Sequence, residues 1–296
     1  MVEYDLLKHT LEDSVEAAKT GDRAALEAVI ASIQDRIYGI AMRMLGHPQD
    51  AQDATQEILV KIALSLRSFR QETLFSIWAY RIAINHLITI RKRRNKMSAL
   101  SFEQFSQFLE AGLLNSSLAP ASVDQQLLME EVKIGCTQGM LLCLNQELRV
   151  AYILGEVFEV NSQEGADILD ITPEAFRKRL SRARKLLRGF MYKNCGIINP
   201  ANPCRCHKQV GPAIQAGLIK EDSLMFACHP TRVSSTRTQE VRELEKLDRV
   251  AGLYRNHPDY AAPEAFVIAM KELLASRQFA LLSSEEENAQ VENISS

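Results

Sequence analysis

A chain of 296 residues is long for one domain and comfortable for two or three, and 46% hydrophobic content supplies more than one core. Its net charge of -2 excludes a uniformly basic coat for nucleic acid. Basic residues instead crowd into 91–96 and 177–193 while the tail after Ser283 is acidic, so any nucleic-acid contact is confined to defined faces.

From the amino terminus, MVEYDLLKHT lacks the basic start and apolar core of a signal peptide, and no later apolar run is long enough to span a bilayer. The expectation is a cytoplasmic protein with no membrane partner. In that reducing compartment the six cysteines read as thiols or metal ligands, not structural disulfides. Long helical periodicities, few glycines and no alternation of strand type point to an all-α chain. The first block runs from about Leu11 to Lys96. Gly21-Asp22 marks a helix boundary, and Ala24 to Leu45 follows with Leu26, Ile30, Ile33, Ile37, Ile40, Ala41 and Met44 on one side. Gly46-His47-Pro48 ends it. Asp50 to Phe69 forms the next helix, with Ala54, Ile58, Ile62 and Leu66 at steps of four and acidic or amide residues on its first turns. A polar loop, Arg70 to Thr73, leads into a third helix from Leu74 to Arg94, striped by Ile77, Ile84 and Ile88 and ending in RKRRNK.

Between Met97 and Gln126 the periodicity weakens, as in a linker with room for one short helix. It returns at Leu127 to Leu144 and Gln146 to Phe158, then in a short helix from Gln163 to Leu169. Thr172 is a good N-cap and Pro173 suits the first helical position, so a new helix begins there. Phe176, Leu180, Ala183 and Leu187 share its buried stripe, which leaves Arg177, Lys178, Arg182, Arg184, Lys185 and Arg188 on the surface. A charge run alone is most simply a solvated face. The short helix, capped turn and basic helix together read as a helix-turn-helix for a DNA major groove.

Past that helix, Cys195, Cys204, Cys206, His207 and Cys228 are candidate ligands for zinc or another thiophilic metal, and Cys204 and Cys206 are too close for an easy disulfide. No pair of Cys-x-x-Cys knuckles accompanies them, so redox sensing and incidental thiols remain alternatives. Cys136 and Cys143, seven apart on a helix, read as core thiols. Leu244, Leu247, Val250, Ala251 and Tyr254 pattern a further helix within 236–277, Pro263 opens another, and disorder is expected from about 283.

The segments DAQDATQEILVKI (50–62) and SFRQETLFSIWAYRIAINHLITIRKRR (68–94) resemble conserved region 2 of the extracytoplasmic-function (ECF) sigma factors of bacterial RNA polymerase. LNQELRVAYILGEVFEVNSQEGADILDITPEAFRKRLSRARKLLR (144–188) resembles their region 4. The resemblance implies region 2 over 1–97, a linker over 98–126, region 4 over 127–193, and a mainly helical extension over 194–296 that resembles the regulatory extensions of some branches. It implies docking on core RNA polymerase through Asp50, Asp53, Gln56 and Glu57. Arg70, Gln71, Thr73, Trp78, Tyr80, Arg81 and Asn85 would read or melt the minus-ten promoter element, with core packing the competing role for Trp78 and Tyr80. Arg91, Arg93 and Arg94, with Lys92, would hold phosphate. In region 4, Thr172 starts the recognition helix, Arg177, Lys178 and Ser181 would meet base edges, and Arg182, Arg184 and Lys185 phosphates. Gly165 departs from the family pattern, in which a larger apolar residue follows the glutamate. No cofactor is required by this reading; an anti-sigma protein is a further candidate partner.

Two other classes compete. An ordinary helix-turn-helix regulator shares the second half, but has no need of a polymerase-docking helix followed by a strand-melting one. An enzyme is the weakest reading, because no nucleophile and base pair, phosphate loop or carboxylate pair stands out.

Overall fold

The computed structural model describes residues 2–94, 100–114, 123–227, 249–255, 257–258 and 260–275. Among them every regular element is a helix. The first four are α1 (Val2–Lys19), α2 (Arg23–Leu45), α3 (Pro48–Ser65) and α4 (Phe75–Arg94). Asp22 caps α2 by accepting from the Ala25 amide at 3.1 Å, and Gly46 ends it at φ 78, a left-handed conformation that favours glycine. Helix α1 extends well before the expected start at Leu11 and packs on α2, which also meets α3 and α4. The expected stripes are buried: Ile33, Ile37 and Ile40 of α2, Ala54, Ile58 and Ile62 of α3, and Ile84 of α4.

Helix α5 (Phe102–Leu114) fills most of the described linker and packs on α6 (Val123–Cys143). Next come α7 (Gln146–Tyr152), a π-helical turn (Ile153–Val157), α8 (Ser162–Leu169) and α9 (Pro173–Asn194). The extension contributes α10 (Cys206–Gln215), which the sequence patterns did not single out, then α11 (Arg249–Arg255) and α12 (Glu264–Ala275). Leu244, Leu247 and the tail from 283 lie outside the described residues.

One core runs through both halves of the chain, from Ile37 and Ile58 to Leu148, Phe176, Tyr254 and Phe266. Helix α8 packs on α4, and α2 meets α6. Arg149, fully buried, ties this junction: it donates to the carbonyls of Leu141 (2.6 Å), Leu142 (2.6 Å) and Leu144 (2.7 Å) at the end of α6, and to Met44 at the end of α2 (3.0 Å). A guanidinium there satisfies carbonyls that a helix terminus leaves without partners.

Candidate nucleic-acid interface

The turn between α8 and α9 is fixed by its caps. Asn161 accepts from Gln163 N and Glu164 N while Glu164 reaches back to the Asn161 amide, a complete capping box. Asp170 closes α8 in the left-handed region at φ 53. Thr172 Oγ1 accepts from Ala175 N at 3.2 Å, so this residue starts the helix with its side chain already engaged. Phe176, Leu180, Ala183, Leu187 and Met191 form the buried stripe of α9. Gly165 explains its departure from the family pattern: a Cβ there would collide with the ring of Phe176. The larger residue would displace the recognition helix, so here the aromatic ring takes the space.

Arg177, Lys178, Ser181, Arg182 and Lys185 are exposed along α9, available to a duplex. Lys178 pairs with Glu174 at 2.7 Å, an exposed link that salt and water weaken. Arg184 behaves differently. Its Nε donates to Glu156 Oε1 at 2.6 Å, and Glu156 is buried in the π-helical turn. A guanidinium held on a buried carboxylate positions α9 instead of standing free for phosphate. Arg179 adds a second tie, 3.2 Å from Glu147 of α7. Sequence reasoning missed Glu156 because its signal, one of two acidic residues in the mostly apolar run ILGEVFEV, does not say which basic residue folds over it.

On the first module, Asp53, Gln56 and Glu57 are exposed and Asp50 is half-buried, together on the face of α3 opposite Ala51, Ala54 and Ile58. Gln49 donates to Asp53 at 3.2 Å, and Glu57 lies 3.0 Å from His86 Nε2. Arg70, Gln71, Thr73 and Asn85 are exposed, with Gln71 donating to Glu16 at 3.0 Å. Trp78 is half-buried beside Phe69 and Phe75, at centroid distances of 5.2 and 5.8 Å. Tyr80 is a core residue in this structure: it is 5% exposed and its hydroxyl accepts from Arg36 at 3.3 Å, so its ring is closed to a base. The stripe of Ile77 and Ile84 draws it inward, since one helical turn separates neighbours on a face. Arg81 Nε donates to the Asp167 carbonyl of α8 at 2.9 Å, so the other module occupies its guanidinium. The backbones of Arg91, Arg93 and Arg94 continue α4, while their side chains lie outside the described residues.

Cys195, Cys204 and Cys206 are half-buried and line one apolar cavity of about 570 Å³, together with Cys136 of α6, Phe105 and Phe190. Burial first, and then the neighbouring thiols Cys195 and Cys204, pushes the Cys206 thiol up to about 11. Burial likewise raises Cys204 and Cys136, which keeps these groups protonated and poorly nucleophilic near neutrality. His207 is exposed, and Cys228 lies outside the described residues. Among the described residues no three histidine, cysteine or carboxylate side chains gather at metal-binding spacing. Cys136 and Cys143 are half-buried and pack against the core, and Cys143 donates to the Gly139 carbonyl at 3.3 Å.

Two family descriptions match the chain: sigma-70 region 2 over residues 29–97 and sigma-70 region 4 over residues 134–187. The chain is similar to the RNA polymerase sigma-H factor of Pseudomonas aeruginosa, 29% identical over 177 residues that cover 58% of this chain and 89% of that protein. It is similar to the ECF RNA polymerase sigma factor SigW of Bacillus subtilis, 27% identical over 179 residues, 60% of this chain and 95% of that one. The ECF RNA polymerase sigma-E factor of Escherichia coli is 27% identical over 176 residues, covering 58% and 90% respectively.

Proposed function

We infer that this chain, which belongs to the extracytoplasmic-function (ECF) RNA polymerase sigma factors, directs promoter-specific initiation of transcription by binding core polymerase and promoter DNA. The observation that carries the reading is the joint presence, in order, of a polar face on α3 and a capped helix-turn-helix with an exposed basic face on α9. A simple regulator would need only the second. Asp53, Gln56 and Glu57, with Asp50 at their edge, supply the charged and amide surface for docking. Arg177, Lys178 and Ser181 at the start of α9 meet base edges of the minus-thirty-five duplex, and Arg182 and Lys185 hold its phosphates. Arg70, Gln71, Thr73, Trp78 and Asn85 surround the minus-ten strand once it opens, which needs a stacking surface and cations.

The protein acts as a binding module, and the polymerase supplies the chemistry. No helix of the described residues is long and apolar enough to cross a membrane. Transcription in vitro with core polymerase tests the reading: the protein should direct defined start sites from a subset of promoters, with strong salt dependence. Normal folding and duplex binding with no initiation from any promoter would return the ordinary-regulator reading.

A further inference from the structure

Four helices from separate parts of the chain wall the apolar cavity. Phe105 and Phe108 come from α5, Cys136 and Met140 from α6, Phe190 from α9 and Cys206 from α10. The Phe105 ring lies 5.7 Å from Phe190 and 6.5 Å from Phe108, at interplanar angles of 26° and 7°. Polar groups at the wall are turned to protein partners. The Glu131 carboxylate accepts from the amides of Met225, Phe226 and Ala227 at 2.7, 2.9 and 2.7 Å. Gln209 donates to the Leu109 carbonyl at 2.8 Å, and Asn194 accepts from Ser106 at 2.8 Å. Burial keeps the thiols of Cys136, Cys204 and Cys206 protonated, so carbon and neutral sulfur face the space. Helix α6 also leaves it open. An added Cβ at Gly135 would meet, among the described residues, only the Phe226 ring at ordinary contact distances of 3.6 and 3.9 Å. Packing there admits a side chain, and glycine is unfavourable inside a helix, yet the position carries none.

We propose that this cavity is a binding site for one uncharged, multi-ring aromatic molecule. Its volume of about 570 Å³ is that of a small-molecule pocket, whereas packed cores hold few voids larger than a water. A charged ligand would lose its hydration and find no counter-charge on this wall. Aromatic rings, in contrast, gain edge and face contacts from Phe105, Phe108, Phe190 and Phe226, and sulfur contacts from Cys136 and Met140. Entry is apolar too. Leu100, Ile197 and Leu218 line the same cavity and are exposed, so its mouth opens to solvent through hydrophobic side chains. The site uses neither the polar face of α3 nor the exposed basic face of α9, and its occupation is independent of the sigma-factor reading.

The test uses the full chain and the neutral fluorescent probe N-phenylnaphthylamine. Its emission should rise to saturation at one probe per chain. Gly135→Leu fills the cavity from α6 and should weaken the probe by about tenfold. Thiol alkylation, read by peptide mass spectrometry, places the probe in the wild-type chain without any substitution. Bound probe should slow alkylation of Cys195 and Cys206, which line the cavity, and leave Cys143, which does not, at its original rate. Biphenyl should displace the probe at about two- to tenfold lower concentration than bicyclohexyl, a ring-matched molecule without π faces. Emission that never saturates would overturn the site, as would equal affinity in a folded Gly135→Leu chain. Should that variant fail to fold, unprotected Cys195 and Cys206 in the wild type would overturn it equally. Displacement by bicyclohexyl at the lower concentration would overturn the aromatic class.

Discussion

Arg149, Gly165 and His257 each do work that their residue type alone does not announce. Arg149 donates to four backbone carbonyls, which makes its guanidinium a cap for α6 and a pin for α2 at once. Arg149→Met keeps the volume and removes the donors, so equilibrium unfolding should show a loss of about 3 kcal/mol from carbonyls left buried and unpaired. At Gly165 the limit is space. Gly165→Val should cost about 1–3 kcal/mol by forcing the Phe176 ring aside, and should weaken duplex binding along with stability. His257 is buried, and burial first, then Arg43 and Lys133, lowers its pKa well below the ordinary 6.5. The folded state therefore favours the neutral ring and binds fewer protons than the unfolded chain once the pH falls below about 6.5. Its stabilising contribution is complete above that value and declines as the pH drops toward the depressed folded pKa. Melting temperatures should fall on acidification from pH 7, and His257→Gln should flatten that part of the profile.

At the scale of elements, α9 divides its basic residues by what stands behind them. Arg177 and Lys185 face outward, whereas Arg184 and Arg179 are turned back onto Glu156 and Glu147. Arg177→Ala in the holoenzyme should cost about 1–3 kcal/mol at cognate promoters and relax discrimination at one base position. Lys185→Ala should weaken all promoters alike and reduce the salt slope by about one. A footprinting series at several salt concentrations separates the two patterns. The stripe of Phe176, Leu180, Ala183 and Leu187 was legible because a 3.6-residue period specifies a buried face without reference to any other element. The π-helical turn at Ile153–Val157 was not, because a single inserted residue leaves the hydrophobic pattern almost unchanged.

Across the whole molecule, the two modules are not beads on a linker. Helix α8 rests on α4, Gln138 donates to the Met42 and Arg43 carbonyls at 3.0 Å each, and Gln146 donates to the Ile88 carbonyl at 3.0 Å. These contacts use amides that a sequence reader assigns to solvent. The amino-acid sequence by itself determined the all-α class, the capped turn before Pro173, the polar face of α3 and the order of the two modules. Each of these follows from local periodicity, capping chemistry or short-range spacing. Only the tertiary structure decided that Tyr80 is closed to DNA, that Arg184 serves Glu156, that the cysteines line an apolar cavity, and that Arg255 reaches across to the recognition module. Those outcomes depend on which distant surface lands on each side chain, and separations such as the 99 residues between Glu156 and Arg255 leave no periodic trace in the chain.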